Sequence, residues 1–151
     1  MKHPKKLVKY NNATFDKIDG KESDYLYVTE SQIPFAGKGL FTSIPIYKDE
    51  IISIFKGKIL TDNEANSRAK DGKNRYFISM LDGTIMDSMH SKCFAKYSND
   101  AEGSVKSKFK VNSTISLNDQ DQVCLVAIRD ITSSEEVFCS YGKKYWRKHS
   151  K

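Results

Sequence analysis

Hydrophobic positions in this chain come in short bursts, and few of them keep helical spacing for long. Tyr25-Leu26-Tyr27-Val28 reads as a short β run, and the following SQIPFAGKGLFTS, with Pro34, Gly37 and Gly39, reads as a loop leading into a strand. Ile51, Ile52, Ile54, Phe55 and Ile59 predict further strand, with Gly57 as a bulge or kink. RYFISM and TIMDS flank Leu81-Asp82-Gly83, and Asp-Gly before a second β run predicts a hairpin. In KFKVNSTISL, Phe109, Val111, Ile115 and Leu117 alternate with polar residues, which predicts one buried face. After the turn NDQDQ, the unbroken apolar run VCLVAI predicts a strand buried on both faces. TDNEANSRAK is the exception: Thr61 and Glu64 form a capping-box pair, Asp62 suits the positive helix end, and Asp71-Gly72 stops the helix. YGKKYWRK predicts a short closing helix. The expected architecture is mainly β, of short strands joined by irregular loops.

Length and charge refine this picture. With 151 residues, one domain is expected, running from 25 to 146 between a loose basic leader (1–24, with room for one short strand) and a basic tail (147–151). No apolar run is long enough to span a membrane, and MKHPKKLVKY lacks the apolar centre of a secretory signal. Cys93, Cys124 and Cys139 form no Cys-x-x-Cys pair, so free thiols in a reducing, intracellular compartment are expected, with cytoplasm and nucleus left open. The same spacing argues against structural zinc, and His3, His90 and His149 show no metal-ligand pattern. The net charge of +6 gathers at the two ends. Those ends are either solvated tails or contacts to nucleic-acid phosphates, and no recognition helix lies beside them.

Single motifs decide little. GKGLF at 37–41 has two glycines for close backbone approach, but no third glycine and no helix for a dinucleotide fingerprint. Asp82 and Asp87 are explained by turn and strand positions, and Cys139 has no partner histidine in a nucleophile pattern. Tyr145-Trp146 is either a core clasp or a platform for a flat ring. FAKYSNDAEG is turn chemistry around Asn99 and Asp100.

Taken in order, GKGLF, DEIISIFKGKILTDNEANSR, RYF, AKYSNDA and AIRDITSSEEVFCSYGKKYW resemble a SET domain, the fold of protein lysine methyltransferases that use S-adenosylmethionine. The resemblance covers about Tyr25 to Trp146, in the minimal form without cysteine-rich pre-SET or post-SET flanks. It implies β-clip-like short sheets, few short helices and a C-terminal pseudoknot. The family's G-x-G-[LV]-[FY] matches Gly37 to Phe41, which would set Lys38, Gly39 and Leu40 against the cofactor. Its R-[FY]-[IL]-N-H-S matches Lys96 to Ala101: Asn99 is kept, Lys96 stands for Arg and Asp100 for His. A second register would set Asp100 and Ala101 against the D-P of the family's H-S-C-D-P-N extension. The first is adopted because it preserves Asn99 and the Lys96-Tyr97 pair. The family's G-E-E-[LI]-x-x-x-Y-G matches Ser134 to Gly142, with Ser134 in place of Gly and Cys139 where a Tyr is frequent.

The resemblance implies Tyr141 and Tyr76 as catalytic residues, the register at Tyr76 open by one residue. It implies Lys38, Gly39, Leu40, Lys96, Tyr97, Asn99, Asp100, Tyr141 and Trp146 as contacts of S-adenosylmethionine. The expected substrate is a lysine in a protein or peptide, histone tails included. The small Cys139 suggests room for more than one methyl group, and small members of the family can pair as homodimers. The departures at Lys96, Asp100 and Cys139 motivate an alternative, a SET domain that binds cofactor or peptide with weakened catalysis.

Overall fold

The computed structural model describes residues 15–80, 82–101 and 108–140. In chain order they form β1 (Asp16–Lys17), α1 (Glu22–Tyr25), β2 (Leu26–Glu30), β3 (Lys38–Thr42), β4 (Glu50–Ile54), β5 (Lys58–Leu60), α2 (Asp62–Lys70), β6 (Phe77–Ser79) and β7 (Ile85–Asp87). A single 3-10 turn (Ala95–Tyr97), β8 (Asn99–Asp100), β9 (Ser113–Leu117), β10 (Val123–Ala127) and β11 (Glu136–Cys139) follow. The architecture is mainly β with few short helices, as expected.

The larger sheet runs β1-β4-β10-β9-β11-β3-β2, with β8 also paired to β11; the smaller runs β5-β7-β6. β10 lies between β4 and β9 and all five of its residues are buried, which is why its sequence is continuously apolar. Leu40, Ile46, Ile52, Leu125 and Val137 are fully covered at the centre of the core. β6 and β7 pair antiparallel across the predicted turn, where Asp82 Oδ1 accepts from the N–H and hydroxyl of Thr84.

α2 forms where the capping box placed it. Glu64 N–H donates to Thr61 Oγ1 and Thr61 N–H donates to Glu64 Oε1. Arg68 reaches from its last turn to the buried carboxylate of Asp87 on β7, at 2.6 Å, and so fastens the helix to the small sheet. Gly57 sits between β4 and β5 for a steric reason: a Cβ there would lie 2.5 Å from the Asp87 carbonyl oxygen.

The strand expected after the 31–37 loop is β3, whose residues Lys38 to Thr42 pair with β2 along their whole length. Two expectations change. Residues 15–24 are tied to the domain: β1 pairs with β4, and Glu22 accepts from Ser53 Oγ and Ile54 N–H. The buried face of KFKVNSTISL is not purely apolar, since Asn112, Ser113 and Ser116 are buried. Asn112 donates through Nδ2 to Glu136 O and accepts at Oδ1 from Phe138 N–H, so a buried amide does the joining of two strands there. Phe109 and Val111 pack instead beside Phe138 in a separate small cluster.

The expected closing helix and the threading of the C-terminal segment fall outside the described residues. Among the described residues, no helix is long and apolar enough to cross a membrane.

Candidate functional site

The site starts at the loop between β2 and β3. Gly37 takes φ +78°, a left-handed conformation that glycine adopts without strain, and its carbonyl accepts from Ser31 N–H. Gly39 is glycine for a different reason: a Cβ there would overlap Glu136 Oε2 and press on the Ser31 backbone. Glu136 is completely buried, accepting from Ser31 Oγ at 2.6 Å and from Gln32 N–H at 2.8 Å. It therefore pins the loop beneath β3 from β11. Sequence reading placed Glu136 in a family motif but assigned it no role; a buried acid opposite a glycine leaves no signal until the strands are paired.

Asn99 and Asp100 lie on β8, which runs parallel to β11 with Phe138 opposite Asn99 and Cys139 opposite Asp100. Asn99 Nδ2 donates to the Lys38 carbonyl at 2.9 Å. That bond joins the glycine-containing strand to the Asn segment, both alongside β11. Ser98 Oγ donates to Val137 O and the Cys139 thiol approaches Ser98 O, so this crossing is tightly laced. Leu40 is fully covered in the core.

Lys96 does something sequence reading did not foresee. Its ammonium donates to the carbonyls of Ser88, Met89 and Ser91, each at 3.1 Å. It also lies 5.3 Å from the Tyr76 ring centre and 5.2 Å from that of Tyr97. The two rings meet edge to face at 6.3 Å, and Arg75 stacks on Tyr76 while donating to Ala36 O. An ammonium has three N–H donors, and here all three serve the 88–91 turn. Beside it, the buried Ser88 Oγ has no hydrogen-bond partner.

The structure thus brings Lys38, Asn99, Lys96, Tyr97 and Tyr76 into one connected region, with Gly39, Leu40 and Asp100 on the adjoining strands. Tyr141 and Trp146 lie outside the described residues. Among the described residues, no three His, Cys, Asp or Glu side chains gather as a metal site.

Residues 37–142 match the sequence model of the SET domain. The chain belongs to the SET-domain family. This is a family of methyltransferases, and the matched segment takes in every strand from β3 to β11. Among solved structures, an active polycomb repressive complex 2 in its basal state matches with a TM-score of 0.66 at 24% identity over 78% of this chain. A humanized mutant of the Chaetomium thermophilum complex bound to the inhibitor GSK126 matches with a TM-score of 0.65 at 22% identity over the same share. An apo ctPRC2 carrying two mutations in Ezh2 matches with a TM-score of 0.64 at 25% identity, again over 78% of this chain. In each case the match spans 15% of the length of the other chain.

The residues present suit an amino-acid-ended cofactor. Asn99 commits its NH2 group to Lys38, which leaves Oδ1 as an acceptor for an ammonium.

Proposed function

We propose that this SET domain transfers a methyl group from S-adenosylmethionine to the side-chain amine of a lysine in a protein, histone tails being the first class of substrate to test. The observation that carries the proposal is the Asn99–Lys38 bond, which welds the two family segments into one wall beside β11. In this reading the main chain of Lys38, Gly39 and Leu40, together with Asn99, Asp100, Tyr97 and Trp146, holds the cofactor, which supplies a methyl group on a positive sulfur.

The lysine must attack as a neutral amine, and neutralising a free lysine at pH 7 costs on the order of 4 kcal/mol. An apolar, aromatic approach lowers this cost because burial disfavours the ammonium. Tyr141 then orients the amine through a hydroxyl that accepts or donates while neutral. Tyr76 forms part of the aromatic wall. Positioning of this kind can contribute about 7–11 kcal/mol to a displacement with little other covalent work.

Lys96 favours a second reading. With its three donors on Ser88, Met89 and Ser91, it is not free to pair with a cofactor carboxylate as the family's Arg position implied. A domain that binds cofactor or a lysine-rich peptide without efficient turnover would follow. Incubation of the full chain with tritiated S-adenosylmethionine and core histones or cell lysate separates the two. Label incorporated into protein supports transfer, and cofactor binding without incorporation supports the binding module.

A further inference from the structure

A cavity of about 1220 Å³ lies between the 15–25 segment, β4, the 89–97 segment and the β9–β10 turn; Lys96 and Tyr97 line it, whereas Lys38 and Asn99 do not. Its floor is apolar: Ile18, Tyr25, Ile52 and Cys93 are buried there, and Ile51, Ile54 and Phe94 are partly exposed. The Tyr25 hydroxyl donates to Ile52 O.

The rim carries four lysines, Lys17, Lys21, Lys56 and Lys92, with His90 beside them, and all five residues are exposed. Lys56 and Lys92 come from distant segments joined where Lys56 N–H donates to Cys93 Sγ. The side chains of Lys17, Lys56, Lys92 and His90 make no hydrogen bond or ion pair among the described residues. The acids in the lining are two. Glu22 is turned inward onto Ser53 and Ile54, and Asp119 lies on the β9–β10 turn.

We infer that this cavity is a docking site for a short acidic peptide with interspersed large apolar side chains, presented by a partner protein. Two features select that chemistry. Exposed lysines around a concavity favour anionic groups and repel basic ones. The apolar floor yields its stabilisation only to a ligand that brings apolar surface with it, about 25 cal/mol per Å² buried. A nucleic-acid duplex presents a convex, polar phosphate surface and leaves such a floor wet. The volume also exceeds the roughly 300–1,000 Å³ of small-molecule pockets, which favours a chain segment. Lys56 and Lys92, the residues tested below, lie outside the proposed catalytic and cofactor set, while Tyr97 of that set also lines the cavity.

Fluorescence polarisation with the full chain tests it. The probe is a fluorescein-labelled peptide of about ten residues in which Asp and Glu alternate with Leu and Phe; the control replaces each acid by Lys. The expected result is saturable binding of the acidic peptide, little binding of the control, and at least tenfold weaker binding by a Lys56→Glu, Lys92→Glu double variant. Because both lysines are exposed, that variant should keep the wild-type circular dichroism and the same methyl-transfer rate. Ile54→Asn supplies an independent check on the floor and should also weaken binding. The inference is overturned if the acidic peptide fails to saturate or if the charge-swapped control binds equally. Unchanged affinity in the double variant overturns it too, as does displacement of the peptide by a thymidine oligonucleotide that binds more tightly through the same lysines.

Discussion

Asn99 donates from Nδ2 to the main-chain oxygen of Lys38 across 2.9 Å, linking positions 61 residues apart in sequence. The bond fixes which end of the amide faces the strand. Asn99→Ala should cost about 1 kcal/mol of stability, the ordinary net value of such a bond. It should weaken S-adenosylmethionine binding about tenfold by titration calorimetry, since an acceptor for the ammonium goes with it. Asn99→Asp keeps the shape but cannot donate to Lys38 O, and the same stability loss is expected.

Gly39 and Glu136 occupy one space between them. Gly39→Ala should destabilise the protein by about 1–3 kcal/mol in urea unfolding, the range for overpacking. Glu136→Ala should cost about 1–3 kcal/mol by leaving Ser31 Oγ and Gln32 N–H without their acceptor. Combined, the two substitutions should cost less than their sum, because the carboxylate that Gly39→Ala would strike is gone. Full additivity would show that the Ser31 backbone, not Glu136, demands the glycine.

Arg68 reaches a fully covered carboxylate on Asp87 at 2.6 Å. Arg68→Ala should cost about 3–5 kcal/mol, the penalty for stranding a buried charge. Arg68→Ala with Asp87→Asn should recover part of that loss in chemical denaturation, because the stranded charge is removed.

Much of this architecture is legible in the chain, and the reasons differ by element. Thr61 and Glu64 define a helix start through bonds local to one turn, so the capping box needed no tertiary information. The hairpin at Asp82-Gly83 and the burial of Val123–Ala127 are legible for the same reason, being patterns within one segment, although Ile128 at the end of the same apolar run is exposed. What escaped sequence reading is long-range and polar. Lys96 was read as a partner for a ligand, but its three acceptors are main-chain carbonyls, which no side-chain pattern announces. Asn112 and Glu136 are buried polar residues whose partners are supplied by strands far along the chain. Periodicity alone assigned Asn112 to solvent.

Glu64 gives the fold a local pH dependence. The Thr61 N–H, and after it the Lys58 ammonium, lower its carboxyl from 4.5 to about 2. A lowered value in the folded state means that the ionised carboxylate favours α2 above about pH 4.5 and that this support is lost as pH falls toward 2. The stability difference between wild type and Glu64→Gln, followed by urea unfolding, should therefore shrink as pH falls through that window. A difference that stays constant with pH would place the contribution of Glu64 in packing instead of charge.

Methyl transfer by the full chain is the most direct test of the central claim, with Tyr141→Phe as the paired variant. Tritiated S-adenosylmethionine and core histones, read by label on lysine after acid hydrolysis, report turnover, and calorimetry reports cofactor affinity. The account predicts methyl-lysine with the wild-type chain, and a loss of at least a hundredfold in Tyr141→Phe at nearly unchanged cofactor affinity. Near-normal turnover in Tyr141→Phe would contradict the role of that hydroxyl. Cofactor bound with no methyl-lysine on histones or any lysate protein would contradict the claim that this domain is an enzyme.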